Sequence, residues 1–276
     1  MAIEFREIST NEERLNSYSK LLKSVFGDEK KFSVEALRWR YKDNPDGEAI
    51  GFDAFDDEKL IAHYVAVPMK AIVNGEEQRG LLSLNTAVDA AYRGKNLFPV
   101  ISKNTYELAK NLGFDFVIGV ANGNSTKIFI KRLGFQLVSP LKSGFFLFPK
   151  WSYKSANFEV VKDDKWLAWR LNNPVQKYFV NKKRAGIFIS TSTHISFIYC
   201  FCFLRNLYTQ EKAKILPKVN LYMGLDNGFN FNSWNFFPIP ERFKPSPLNL
   251  IYRSLNDKIP TLSTSINFNF LDFDPY

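Results

Sequence analysis

Residues 88–135, VDAAYRGKNLFPVISKNTYELAKNLGFDFVIGVANGNSTKIFIKRLGF, decide how this chain is read. They predict the end of a strand, a tight turn over 92–96, a helix over 97–112, a strand over 114–121 and a second helix ending at Gly134. Leu97, Val100, Ile101, Thr105, Leu108 and Leu112 recur at helical spacing on one face, and Gly113 stands where a helix C-terminus favours glycine. Pro99 falls in the first turn, where its missing N–H costs nothing. The run from Phe114 to Val120 is short, aromatic and β-branched, which fits a central strand. A strand that passes through Arg93-Gly94-Lys95 into a helix leaves unpaired N–H groups at the positive end of the helix dipole, with two cations beside them. Such a turn can hold a pyrophosphate, although a single turn of this kind is more often a solvated connection.

Upstream, residues 3–8 read as a strand and 11–26 as a helix burying Leu15, Tyr18, Leu22, Val25 and Phe26. Ser33 N-caps a helix that ends before Asn44-Pro45-Asp46-Gly47. Strands over 49–55, 60–69, 70–73 and 78–88, joined at Asp56-Asp57-Glu58 and Asn74-Gly75, form an antiparallel meander that feeds the unit. Downstream, a strand over 136–141 and an aromatic run over 144–148 are expected to close a first domain, residues 1–149, with the boundary at Pro149-Lys150-Trp151.

An internal repeat follows: Leu37-Arg38-Trp39-Arg40 with Asn44-Pro45 is echoed by Leu167-Ala168-Trp169-Arg170 with Asn173-Pro174. Residues 150–276 then make a second, degenerate half lacking the phosphate turn, which shapes an acceptor site or completes the first sheet.

The run Tyr92 to Leu97 resembles the acyl-CoA signature of the GNAT acyltransferase superfamily, and Asn122 to Ser125 through Leu133-Gly134-Phe135 resembles its second motif. Trp39-Arg40, Asn44-Pro45, Asn85-Thr86-Ala87 and Arg93-Gly94-Lys95, in that order, are similar to a bacterial subgroup linked to cell-surface polysaccharide pathways. The resemblance covers roughly the first half and implies an α+β GNAT fold, a mixed, mostly antiparallel sheet flanked by helices. It implies acetyl-CoA as cosubstrate, with the backbone near Val88 stabilising the oxyanion. Arg93, Gly94, Lys95, Asn96 and Leu97 would grip the pyrophosphate, and Asn122 and Ser125 would meet the CoA arm or acceptor. Two departures stand out: Asn96 replaces a signature glycine, and Phe129 stands where many members have a Tyr that protonates the thiolate.

The catalytic base is less defined. Asn85 or Ser83 can orient a water, and Asp89, His63, Glu76 and Glu77 are candidates by proximity. His63, in an alternating apolar strand, reads equally as a packed residue.

Composition fits a globular protein: 276 residues, 45% hydrophobic and 24% charged. A net charge of +9 favours anionic partners, but no dense basic run interleaved with aromatics points to nucleic acid. Cys200 and Cys202 have no metal-site or redox spacing and read as buried thiols in a reducing cytoplasm, and no metal is expected. The N-terminus lacks the pattern of a secretion signal. Residues 186–204 hold no Asp, Glu, Lys or Arg, yet six Ser, Thr and His side chains make them a hairpin rather than a membrane span. The Pro-rich aromatic tail, including Trp234 and Leu271 to Tyr276, lines a sugar groove or packs as loops on a sheet.

The leading expectation is therefore a cytoplasmic acyltransferase that acetylates an amine of a small molecule or sugar nucleotide. A non-catalytic protein of the same fold that binds CoA, glycan or protein is the alternative from another class. A two-half aminoacyl transferase using charged tRNA is the third. Oligomeric state is not encoded in any motif.

Overall fold

The computed structural model describes residues 3–147, 151–152, 154–183, 186–195, 197–205, 219–232, 234–244, 246–256, 261–263 and 265–275. Strand β1 (Ile3–Glu7) leads through helices α1 (Glu12–Phe26) and α2 (Val34–Tyr41) to the meander β2 (Ile50–Asp56), β3 (Lys59–Val73) and β4 (Glu76–Val88). Both helices start on side-chain caps: Asn11 accepts from the Arg14 N–H, and Ser33 from the Ala36 N–H. β3 is one strand where two were expected, since no turn residue interrupts 69–70 and its far end gains another partner, β8 (Phe158–Val160).

Helix α3 (Leu97–Asn111), strand β5 (Phe116–Ala121) and helix α4 (Gly123–Leu133) follow as read from the sequence. Gly94 takes φ 82°, Asn96 takes φ 61° and Gly134, which ends α4, takes φ 68°. Asn is one of the few non-glycine residues that adopts this region at low cost, so the turn keeps its shape without the signature glycine.

The next two strands go separate ways. β6 (Gln136–Pro140) stays in the first sheet but is separated from β5 by β14 (Asn249–Ser254), which runs antiparallel to both. β7 (Lys142–Phe146) instead pairs with β12 (Val219–Leu225) and β13 (Phe236–Pro238). Residues 144–146 of the expected aromatic run therefore do not close the first sheet; each half lends the other a strand. Packing explains the exchange: Phe146 of β7 buries against Phe201, Tyr222, Phe229 and Phe236, while Leu250 and Tyr252 of β14 bury with Phe116 and Ile118 of β5. The expected boundary at Pro149-Lys150 lies outside the described residues.

In the second half β8 is followed by helix α5 (Asp164–Leu171) and the antiparallel strands β9 (Tyr178–Lys183), β10 (Gly186–Ser192) and β11 (Ile198–Arg205). β12 then runs parallel to β11, as β5 does to β4. β15 (Ile266–Asn269) and α6 (Phe270–Phe273) complete the described elements. The uncharged stretch 186–204 is the β10–β11 hairpin, and no helix among the described residues is long and apolar enough to cross a membrane. Cys200 and Cys202, two apart on β11, are both buried in the core.

The repeated Trp-Arg motifs meet each other. Trp39 and Trp169 stack with centroids 4.6 Å apart, and each indole N–H donates to the other's main-chain carbonyl, at 3.0 and 2.9 Å. Arg40 and Arg170 both reach the Asp274 carboxylate, at 2.5 and 3.3 Å. Asp274 also accepts from Asn173 (3.2 Å) and from the Tyr178 hydroxyl (2.9 Å). One carboxylate near the C-terminal end of the described chain thus ties the two copies together.

Candidate functional site

β4 and β5 pair only between Gly80–Ser83 and Phe116–Gly119. At Gly119 they are in close contact, because a Cβ there would lie 3.1 Å from the Ser83 Cβ. Beyond it they part. Asn85 takes φ 48°, and the pairing of β4 with β3 shifts between His63 and Val65, so β4 bulges as it leaves β5. The opening is a cavity of about 360 Å³ lined by Ser83, Asn85 and Thr86 from β4, Val120 from β5, and Asn122 and Ser125 from the start of α4. Glu29, Lys31 and Arg40 wall one side, and Leu248, Phe273 and Asp274 from the second half wall another.

Of the candidate site residues singled out in the sequence, the cavity gathers Ser83, Asn85, Asn122 and Ser125. Asn122 also caps α4, accepting from the Asn124 and Ser125 N–H groups at 3.0 and 2.8 Å. Val88, Arg93, Gly94, Lys95, Asn96 and Leu97 lie outside it, along the end of β4 and the turn into α3. Arg93, Gly94, Lys95 and Asn96 are exposed. The N–H groups of Gly94, Asn96 and Leu97 have no acceptor among the described residues, so donors gather at the start of a 15-residue helix, with Arg93 and the Lys95 ammonium, which lies over the Tyr92 ring, in the same turn. The Asp89 N–H bonds to the Ile61 carbonyl (2.8 Å), and antiparallel alternation turns the Val88 N–H the other way, towards the side β5 has left.

The proposed bases fare differently. The Asp89 carboxylate caps its own turn at Ala91 and pairs with Lys59 at 2.7 Å, which holds it below the usual carboxylate range. Glu76 and Glu77 are exposed at the opposite end of β4. His63 is fully buried and does not reach the cavity. Phe129 lines the cavity but packs against Phe98 and Phe135, with centroids 5.3 and 5.0 Å away.

Sequence reasoning missed the charged wall. Among the described residues lining the cavity, the ionisable ones are Glu29, Lys31, Arg40 and Asp274. Arg40 was visible as part of the repeat; Glu29 and Lys31, paired at 2.9 Å, carried no motif. Asp274 is held by two guanidinium groups, which leaves Glu29, itself paired with Lys31, as the other cavity carboxylate. No cluster among the described residues suits a metal ion.

A second cavity of about 310 Å³ sits in the other half, lined by Trp151, Glu159, Lys162, Asp226, Asn267 and Asn269 among others. Burial raises the Asp226 carboxyl to about 6, against hydrogen bonds from the Gly228 N–H and the Trp151 indole. A carboxyl with a raised folded-state pKa binds its proton more tightly when folded, so stability falls as pH rises from about 4 through about 6. Asp226→Asn should therefore raise stability at pH 8 by about 1–3 kcal/mol and flatten the pH dependence between those values. Denaturant unfolding at pH 5 and pH 8 measures both effects, and equal stability of the two proteins at pH 8 would refute the assignment.

Residues 5–138 match the sequence model of a family described as an acetyltransferase (GNAT) domain. No curated protein matches the sequence. A conserved protein of unknown function from Enterococcus faecalis, described as a probable N-acyltransferase, superposes with TM-score 0.61 at 9% identity, covering 92% of this chain and 73% of that one. A GCN5-related N-acetyltransferase from Anabaena variabilis gives 0.61 at 11% identity, with 92% and 73% covered. Saccharomyces cerevisiae N-myristoyltransferase with bound myristoyl-CoA gives 0.56 at 14% identity, with 91% and 82% covered. At these identities the likeness is one of fold.

Proposed function

We propose, from the match of residues 5–138 to the GNAT acetyltransferase domain family, that the protein moves an acetyl group from acetyl-CoA to an amine of a small molecule or sugar nucleotide. The observation that carries this reading is the parting of β4 from β5 at the Asn85 bulge, which opens a cavity beside backbone donors that β5 no longer uses. The free amides of Gly94, Asn96 and Leu97 suit the CoA pyrophosphate, with Arg93 and Lys95 adding charge. The acyl thioester then lies along the gap between β4 and β5. There the Val88 N–H faces the carbonyl oxygen, where negative charge develops as the amine attacks. Glu29, the cavity carboxylate outside the Arg40–Arg170 clamp, is assigned the amine proton, which it takes on leaving its pair with Lys31.

The motif order from Trp39-Arg40 to Arg93-Gly94-Lys95 supports an acceptor from bacterial cell-surface polysaccharide synthesis. A cytoplasmic site, where acetyl-CoA is made and Cys200 and Cys202 stay reduced, fits that role.

One observation favours a second reading. No Tyr, Cys or His lines the cavity among the described residues, so no side chain there supplies a proton to the departing thiolate as a phenol would. A protein that binds acyl-CoA without transferring it is the alternative. Incubation with acetyl-CoA and UDP-glucosamine or glucosamine separates the two. Amine-dependent release of free thiol, with an acetylated amine seen by mass spectrometry, supports transfer; binding of acetyl-CoA without thiol release from any amine supports the second reading.

A further inference from the structure

Behind Asn85 runs a buried polar chain that the acyl-transfer scheme does not use. Asn85 Nδ2 lies 2.7 Å from the Tyr41 hydroxyl, which lies 3.3 Å from His63 Nε2. His63 Nδ1 lies 2.7 Å from Asp53 Oδ1, and Asp53 Oδ2 accepts from the Tyr18 hydroxyl at 2.8 Å. Tyr18 also stacks on the His63 ring at 4.1 Å. Tyr18, Tyr41, His63 and Asp53 are each no more than 1% exposed, and none lines the cavity; Asn85 alone reaches it. Four polar groups buried together are costly unless each bond is made, so the chain has one consistent set of directions.

We propose that Asp53, His63 and Tyr41 are positioning residues that lock the Asn85 amide with its NH2 towards Tyr41 and its Oδ1 into the cavity, where it accepts from the amine of the acceptor. A carboxylate only accepts, so Asp53 places the imidazole proton on Nδ1. With that single proton on the ring, Nε2 offers a lone pair 3.3 Å from the Tyr41 hydroxyl, which then donates to it. Burial pushes the Tyr41 phenol up, which keeps that proton in place. With its proton committed, the Tyr41 oxygen can only accept, and Asn85 must present its NH2. The two ends of an amide are nearly the same size, so without this chain the group could turn over and show a donor where an amine needs an acceptor.

What Asn85 touches rests on the acyl-transfer reading; its orientation does not. Two measurements on the full chain keep them apart. In the wild type, ¹⁵N NMR should show the His63 proton on Nδ1 and an Asn85 side-chain NH2 that exchanges slowly with water, becoming fast in Tyr41→Phe. With acetyl-CoA and UDP-glucosamine, Tyr41→Phe should lower acceptor kcat/KM about tenfold while calorimetric acetyl-CoA affinity stays within about twofold. Asn85→Gly, which suits the positive φ, should cause a similar loss, and Tyr41→Phe should add nothing in that background. Additive losses, a His63 proton on Nε2, or a fast-exchanging wild-type Asn85 amide would overturn the proposal. If the wild type transfers acetyl to no amine, the functional reading fails, and the NMR alone decides the orientation.

Discussion

Asp274→Ala is expected to destabilise the protein by about 3–5 kcal/mol, the cost of leaving a buried charge without its partner. Its carboxylate is 2% exposed and lies between the Arg40 and Arg170 guanidinium groups, whose side chains are 7% and 4% exposed. Removing it leaves two buried cations without an anion at that point and deprives Asn173 and Tyr178 of their acceptor. Burial, followed by the Asp274 charge, pushes the Tyr178 phenol up, so in the native protein it stays a donor. The melting temperature should fall on the order of 10 °C, at roughly 2–4 °C per kcal/mol for a chain of this size. Because Arg40 and Asp274 also wall the cavity, acetyl-CoA binding should weaken in the folded fraction. A loss below about 1 kcal/mol would mean that the shared carboxylate does not hold the repeats together.

Gly94→Glu is expected to weaken acetyl-CoA binding by about tenfold to a hundredfold, through two effects of the same sign. At φ 82° any side chain carries a left-handed penalty of about 1–2 kcal/mol, which distorts the turn. The new carboxylate also sits among amides that the reading assigns to a pyrophosphate, replacing attraction by repulsion. A Cβ at Gly94 meets nothing within 4 Å, so crowding does not contribute and the fold should survive. Gly94→Ala carries the strain without the charge and should cost a few-fold. Calorimetric titration of the three proteins separates the effects. Equal affinity of Gly94→Glu and wild type would remove the pyrophosphate from this turn.

The first half was legible because its signals are local. The helix at 97–111, the tolerance of its Asn96 turn, the Gly134 end and the cap at Ser33 each depend on residues a few positions apart. The Trp-Arg repeat was visible as a pattern, but that the copies stack on each other and share Asp274 is a tertiary fact joining residues 130 and more positions apart. The strand exchange left no trace in the sequence. β7 and β14 are short strands of mixed polarity, and which strands they join is decided by distant aromatic packing rather than by any motif.

The site shows the same division. Asn85, Asn122 and Ser125 were found from motif positions, whereas Glu29, Lys31 and Asp274 reach the cavity only through folding. His63 looked equally like a base or a packed strand residue. Its partners, Asp53 and Tyr41, lie 10 and 22 positions away on a neighbouring strand and a helix, a geometry that alternation alone does not reveal.

The central claim is that this chain binds acyl-CoA where β4 parts from β5, and calorimetric titration of the purified wild-type protein with acetyl-CoA at modest salt tests it most directly. Saturable binding of one equivalent, sharply weakened in Gly94→Glu, is the predicted result. No heat of binding at millimolar acetyl-CoA, from protein whose melting curve shows it folded, would contradict it.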